Sequence, residues 1–450
     1  PLSTARHAAF ILAASLGLML IGNDVRTDTL LLGFSTCAVW QLAAYLERGR
    51  WLHLLTGFGS IGLAMLAKGP IGIVMPLFAV GGHLLLKGHW RSLFRWQWLA
   101  GLLLVAFLLA PMCWGLWQQF DLHPEKWVNG RQGVSGLRFF FWEQSFGRIT
   151  GENVWKNDTS AFFFFHVYLW AFLPWSLLLP WALVRIGKAT WAARNTSTAE
   201  AALWPEYYAL CGFLLTFAAL SLSRYKLPHY IFITLPWAAV LVASALGHGV
   251  GAFPRWLLGV GAIAGLLLMW TAVVWVFPEA SLEVWLVIGV GTVAWAIAFW
   301  RQARMLTAEH LVLQGVVAAC LLGFVLNFHF YPRLLPYQYA RRAVDAARTA
   351  GISPEAVYFF RAHSHAVDFY QGRIISRFDD PADILALAST SGRAIGVITT
   401  AEGRTVLEQA GAPVKEIIPL PHFHVAMLHV RFLHPATRQQ TLQHFYLLKM

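Results

Sequence analysis

Charge is what this 450-residue chain has least of. Asp, Glu, Lys and Arg together make up 12% of it, about half of what a soluble domain carries. With 58% hydrophobic residues and a mean hydropathy of +0.55, that shortage excludes an ordinary soluble enzyme. Cysteine is also sparse. The four present (Cys37, Cys113, Cys211 and Cys320) lie in or beside apolar runs without metal-ligand spacing, so we expect no disulfide framework. Acidic residues are outnumbered, 22 against 34 basic ones, for a net charge of +12. The basic residues form no single patch or tail, so no nucleic-acid partner is expected and the excess reads as loop charge. The alternating signature of an outer-membrane barrel is missing. So is a signal-peptide pattern: the chain starts at Pro1 and enters an apolar run near Ala8, which reads as a protein whose beginning lies upstream.

What is present is a series of apolar runs approaching the ~20 residues that cross a bilayer. About eleven can be read, near 8–22, 29–46, 53–67, 70–86, 98–116, 160–184, 206–222, 230–247, 256–276, 283–300 and 309–327. Every second connection is basic. Arg6 precedes the first run; Arg48 and Arg50 follow the second; Lys87, Arg91 and Arg95 follow the fourth. Arg185, Lys188 and Arg194, then Arg255, then Arg301 and Arg304 continue the pattern. The positive-inside rule puts these on the cytoplasmic side.

The opposite side then receives "NDVRTD" (23–28), "AKGP" (67–70), the segment 117–159, "SRYKLPHY" (223–230) and everything after residue 329. Cations there run against the orienting rule. Snorkelling explains any one of them. Their convergence on one face beside carboxylates points instead to a site for an anionic ligand. Asp24 and Asp28 flank a span boundary, where ionisable groups are costly and are functional candidates; Asp28 could also cap the helix beginning near Thr29. Asp28 could act as a base, a metal ligand or a partner for Arg26. Lys68 offers a point charge for phosphate at a break forced by Gly69 and Pro70. The aromatic cluster Phe139–Trp142 suits the headgroup level, with Glu143 and Arg148 projecting from a short surface helix. In "SRYKLPHY", Pro228 interrupts the helix, Arg224 supplies a planar fork for phosphate oxygens, and Lys226 a mobile charge. Tyr225 and His229 add neutral hydrogen-bonding groups.

These residues resemble those of a family. "LSRYKLPHYIFITLPWAAVL" (222–241) is similar to a stretch shared by bacterial lipid A aminoarabinose transferases and protein mannosyltransferases. "VRTDTLLLGF" (25–34), "LAKGPIGIVMP" (66–76) and "FFFWEQSFGRITG" (139–151) match in kind and order. The resemblance covers roughly residues 5–350. It implies the C-type glycosyltransferase fold, an active site on the periplasmic face of a bacterial inner membrane, and a sugar donor carried on polyprenyl phosphate, usually with inversion. It implies that Asp28 is the second acidic residue and that Lys68, Arg148, Tyr225 and Lys226 hold the donor phosphate, with Arg224 and His229 nearby. The family's first acidic motif, often Asp-Glu, has no counterpart here. The resemblance thus implies about 90–100 further N-terminal residues, without which this chain alone is expected to be inactive. Many members carry His where this chain has Gln144, which leaves a metal role for that loop open, and a divalent cation an open question.

The tail after residue 329 is not membrane-like. "AVYFFRA", "RAIGVITT" and "HVAMLHVRF" read as strands, with helices near 337–350, 381–389 and 402–410. We therefore expect an all-α polytopic membrane domain (1–329) followed by a small α/β soluble domain (330–450) in the periplasm. His363, His365, His422, His424 and His429 invite a metal reading, but flanking strand-like runs favour surface or turn histidines. The function expected is a monomeric membrane glycosyltransferase with a lipid A-like, glycan or protein acceptor. A lipid transporter or flippase is the competing class, and a mere membrane anchor would not need so many spans.

Overall fold

In the computed structural model, residues 2–128, 130–145, 147, 150, 157, 159–195, 207–301, 307–425 and 427–450 are described. Helix occupies every predicted span. In order these are α1 (Leu2–Ala13), α2 (Leu16–Ile21), α3 (Asp28–Arg48), α4 (Trp51–Lys68), α5 (Ile71–Leu86), α6 (Gln97–Leu116), α7 (Phe163–Ala171), α8 (Leu178–Asn195), α9 (Tyr208–Leu222), α10 (Leu235–Gly247), α11 (Ala252–Thr271), α12 (Leu282–Arg301) and α13 (Ala308–Val325). Among the described residues, six helical stretches are long and apolar enough to cross a membrane. The chain is a multi-pass membrane protein. It divides into two compact units: residues 1–267 with 290–323, and residues 268–289 with 324–450.

The first unit is a helical bundle. Its helices end where the sequence lets them. Gly49 terminates α3 in the left-handed conformation (φ 67°) and donates its N–H to the Tyr45 carbonyl, the usual αL stop. Gly69 stops α4 at φ 84°, ψ −159°, a region only glycine occupies without strain. Small residues let the helices approach closely: a Cβ on Gly101 would fall 2.2 Å from the Phe58 ring.

Two predicted spans are broken. The run 8–22 divides at Ala14–Ser15 into α1 and α2, and the run 160–184 divides at 172–177 into α7 and α8. In lipid an unsatisfied backbone group costs several kcal/mol, and the two breaks satisfy each other. Leu16 N–H donates to the Leu173 carbonyl (3.1 Å), and the indole of fully buried Trp175 donates to the Ala14 carbonyl (3.3 Å). Within the breaks Ser15 donates to Leu12 O and Ser176 to Leu169 O, both at 2.7 Å. Gly261 and Gly315 press against this joint. A Cβ on either would lie 2.1 Å from, respectively, the Pro174 carbonyl oxygen and the Trp175 ring.

A two-residue ladder, β1 (Trp127–Val128) with β2 (Arg131–Gln132), decorates the segment after α6. The second unit holds a five-stranded sheet of order β4-β3-β5-β7-β6, made of β3 (Val357–Phe360), β4 (Arg377–Phe378), β5 (Gly396–Thr400), β6 (Glu416–His422) and β7 (Gln443–Lys449). β3 is parallel to both β4 and β5, and β7 runs antiparallel to β5 and β6. The helices α14 (Tyr339–Thr349), α15 (His365–Gln371), α16 (Pro381–Thr390) and α17 (Ala401–Gln409) complete it. The small α/β domain expected of the tail is therefore present. Two expected strands, around 356–362 and 393–400, are β3 and β5. The third is not a strand among its described residues: 427–429 lead into the short helix Val430–Leu433, where the His429 ring caps Phe432 N–H and Phe432 is fully buried. The strands β6 and β7 were not expected there.

Arg438 lies buried in the second unit. Its guanidinium donates to the carbonyls of Val276 (2.5 Å), Phe432 (3.0 Å) and Leu433 (3.2 Å) and stacks over the Phe277 ring at 4.4 Å.

Candidate functional site

The ends of α3, α4 and the 3-10 turn Pro228–Thr234, which leads into α10, meet within the first unit. Asp28 is the first residue of α3, 8% exposed. The preceding residue, Thr27, occupies the cap position without a side-chain capping bond, so the expectation that Asp28 caps the helix is corrected. Its carboxylate instead pairs with the Lys68 ammonium from the last turn of α4. An acidic group in a first turn and a basic one in a last turn both suit their helix dipoles, so the pair costs neither helix anything. Lys68 Nζ also sits 4.6 Å above the Tyr230 ring, a cation–π contact. Its ammonium is thus held between a carboxylate and an aromatic face.

His229 Nε2 lies 4.0 Å from the other Asp28 oxygen. Arg26 Nη1 approaches the two His229 ring nitrogens at 3.1 and 3.2 Å, and Arg26 pairs with Asp24. Asp24, Arg26, Asp28, Lys68 and His229 therefore form one continuous polar cluster at helix ends. Tyr230 belongs to it as well. It was inside the quoted "SRYKLPHY" but not singled out, and the signal was an aromatic next to His229.

Lys226 stands apart. It is 3% exposed and its ammonium donates to the Thr159 carbonyl at 3.2 Å. Asn157 brackets its backbone, accepting from Lys226 N–H (3.1 Å) and donating to its carbonyl (2.7 Å), while Thr159 donates to Asn157 (3.0 Å). The charge expected to be mobile is instead fixed. Among the described residues no carboxylate pairs with it, and burial pushes its pKa below the usual lysine value. Asn157 and Thr159 escaped sequence reading because neutral amides and hydroxyls in a polar loop carry no distinctive pattern.

Of the other candidates, Arg224 is exposed. Tyr225 is half-buried, its ring 6.4 Å from that of Tyr230 and its carbonyl accepting from Ser223. Glu143, at the end of the helical turn Phe139–Glu143, faces Arg138 at 3.8 Å. That turn lies against the α4 stop: a Cβ on Gly69 would meet Phe140 O at 3.6 Å and Ser145 Oγ at 3.7 Å. Arg148 lies outside the described residues. Among the described residues, no three metal-ligating side chains gather in this cluster.

Residues 2–117 match the family described as dolichyl-phosphate-mannose-protein mannosyltransferase. Undecaprenyl phosphate-alpha-4-amino-4-deoxy-L-arabinose arabinosyl transferases are similar over 65% of the chain. That of Pseudomonas aeruginosa (strain UCBPP-PA14) is 30% identical over 310 residues, and that of Pseudomonas paraeruginosa 31% over 314, each match covering 51% of the relative. The chain thus spans about half the length of the curated relatives it matches. The crystal structure of ArnT from Cupriavidus metallidurans bound to undecaprenyl phosphate superposes with a TM-score of 0.65 at 16% identity, over 99% of this chain and 79% of that one. Its apo state gives 0.63. By sequence the chain is similar, over part of its length, to aminoarabinose transferases and protein mannosyltransferases, and it shares the C-type glycosyltransferase fold of ArnT.

Proposed function

We propose that this chain forms the membrane part of a glycosyltransferase, working as a monomer in a bacterial inner membrane. It would move a sugar from polyprenyl phosphate to a lipid A-like, glycan or protein acceptor on the periplasmic face. The observation that carries the reading is the cluster of Asp28, Lys68 and His229, delivered from the ends of three hydrophobic helices. Groups so costly at a membrane boundary need a use, and their position at helix ends favours surface chemistry over a transport path. The relatives named above are transferases that use an undecaprenyl-phosphate sugar, which supports the donor class.

In the reaction, an acceptor oxygen attacks C1 of the sugar. The bond from C1 to the phosphate oxygen breaks, and polyprenyl phosphate leaves with the electron pair. Charge develops on that phosphate, and fixed cations aimed at it lower the barrier by several kcal/mol. Lys226, buried beside Thr159, and Lys68 are suited to this, with Arg148, Arg224 and Tyr225 as further donors. A phosphate that draws Lys68 toward itself loosens its hold on Asp28. The freed carboxylate could then take the proton of a hydroxyl acceptor, a step that a phosphate acceptor hardly needs. Asp24, Arg26, Glu143 and His229 would orient this arrangement.

The test is transfer from a panel of radiolabelled polyprenyl-phosphate sugars in membranes carrying the full-length gene product. Lys226→Ala should lower transfer by about 100-fold or more with insertion unchanged. Equal transfer by that variant removes Lys226 from the site, and no transfer from any donor by folded wild type overturns the reading.

A further inference from the structure

The sheet-bearing unit contains a second, separate group of chemistry-bearing residues. Strand β3 ends at Phe360, and the segment "RAHSHAVDF" (361–369) carries the chain into α15. The turn is sharp. Arg361 has φ 47°, among the described residues the only positive φ outside glycine. A non-glycine residue held there needs its surroundings to hold it. They do: its N–H donates to Phe378 O (3.0 Å) and its Nε to Asp379 O (2.9 Å). Ser364 then caps α15, accepting from Val367 N–H.

This path brings His363, His365 and Asp368 together, with one ligand atom from each within 4.8 Å of the others. His363 Nε2 and His365 Nδ1 each lie 3.8 Å from the same oxygen, Asp368 Oδ2, and the rings stand edge to face at 87°. The other carboxylate oxygen, Oδ1, accepts from Ile375 N–H at 3.0 Å. Such a bond orients a ligating carboxylate and leaves its second oxygen free for an ion. The site sits beyond the carboxyl end of β3, where the chain leaves first to β4 on one side and later returns to β5 on the other. Open sheets bind ligands at that kind of switch.

We propose that His363, His365 and Asp368 form a zinc-class metal site in the sheet domain. Two imidazoles and a carboxylate are a common zinc donor set. Tetrahedral ligands about 2.0–2.1 Å from zinc stand about 3.4 Å apart. The 3.8 Å spacings therefore need only a small inward movement, easy for His365 with its side chain 91% exposed. Three protein ligands leave the remaining positions to water. Magnesium, which prefers oxygen ligands in an octahedron, should not compete. The ion would clip the β3 exit loop to the first turns of α15. His422, His424 and His429 take no part in such a group among the described residues.

The experiment uses the whole chain in detergent, tag removed and stripped with chelator, then equilibrated with zinc ions alone. Wild type should hold one more zinc per chain by mass spectrometry than His365→Ala, and its thermal unfolding should rise with zinc while the variant's does not. Asp368→Asn keeps an acceptor for Ile375 N–H and should weaken zinc binding at least about tenfold. His365 is exposed enough that its replacement spares the fold. Equal zinc content and equal zinc-dependent stabilisation in wild type and His365→Ala would overturn the proposal.

Discussion

At the scale of residues, the Asp28–Lys68 pair is the most informative contact. Both residues can be picked from the sequence as misplaced charges. That they meet each other, forty positions apart, cannot. Pairing depends on α3 and α4 packing antiparallel, and nothing in "NDVRTD" or "AKGP" encodes which partner lies opposite. If the pair works as a unit, its members should not contribute independently. We expect Asp28→Asn and Lys68→Ala each to lower transfer by about 100-fold or more, and the double variant to be little worse than the poorer single one. Initial-rate measurements on the four proteins check this, and fully multiplicative losses would mean that the two act separately. Lys226 shows the opposite limit of sequence reading. Its importance was legible from its motif, but its immobility was not, because the groups that hold it are a main-chain carbonyl and an asparagine.

At the scale of elements, hydropathy located the helices and hid their breaks. The runs 8–22 and 160–184 are mostly apolar, and hydropathy averages over Ser15, Pro174 and Ser176, which lie at the breaks. Their breaks are tolerable only because each supplies what the other lacks, a relation between distant segments. Gly261 belongs to this joint through packing alone. Gly261→Ala should destabilise the fold by about 1–3 kcal/mol, since its new methyl meets a main-chain carbonyl that cannot swing away. Gly33→Ala, inside α3 with nothing within 4 Å, should be neutral or stabilising by up to about 1 kcal/mol. Thermal unfolding of the two variants in detergent separates them. In the tail, β6 has the sequence "EIIPLPH", whose prolines argue against a strand. β6 is the edge of the sheet. Pro419 and Pro421, two apart, direct their missing N–H groups to the same unpaired side, so the strand forms regardless.

At the scale of the whole molecule, the sheet domain carries a half-buried histidine through which acid should act on its stability. His422 is half-buried, its ring set edge-on to Tyr339 and Phe445 with Nδ1 lacking a hydrogen-bond partner among the described residues. Burial first, then neighbouring His424, holds its pKa below the usual histidine value. The folded domain therefore prefers the neutral ring. Its contribution to stability is complete above about pH 6.5 and is lost as pH falls below that, when the unfolded chain binds the proton more readily. Unfolding temperature measured in chelator should decline through this window, and His422→Phe should flatten the decline.

Arg438 has a consequence for how such proteins can be recombined. One of the three carbonyls its guanidinium reaches is that of Val276, far upstream in the chain and at the end of an apolar helical stretch. The sheet is therefore not an interchangeable module. A chimera that takes its tail from a relative after residue 330 would bury a cation whose Val276 acceptor and Phe277 stacking face come from the other parent, leaving it only the two carbonyls of its own tail. Grafts should succeed only when the stretch around 276–279 travels with the tail, so the two pieces are expected to be inherited together.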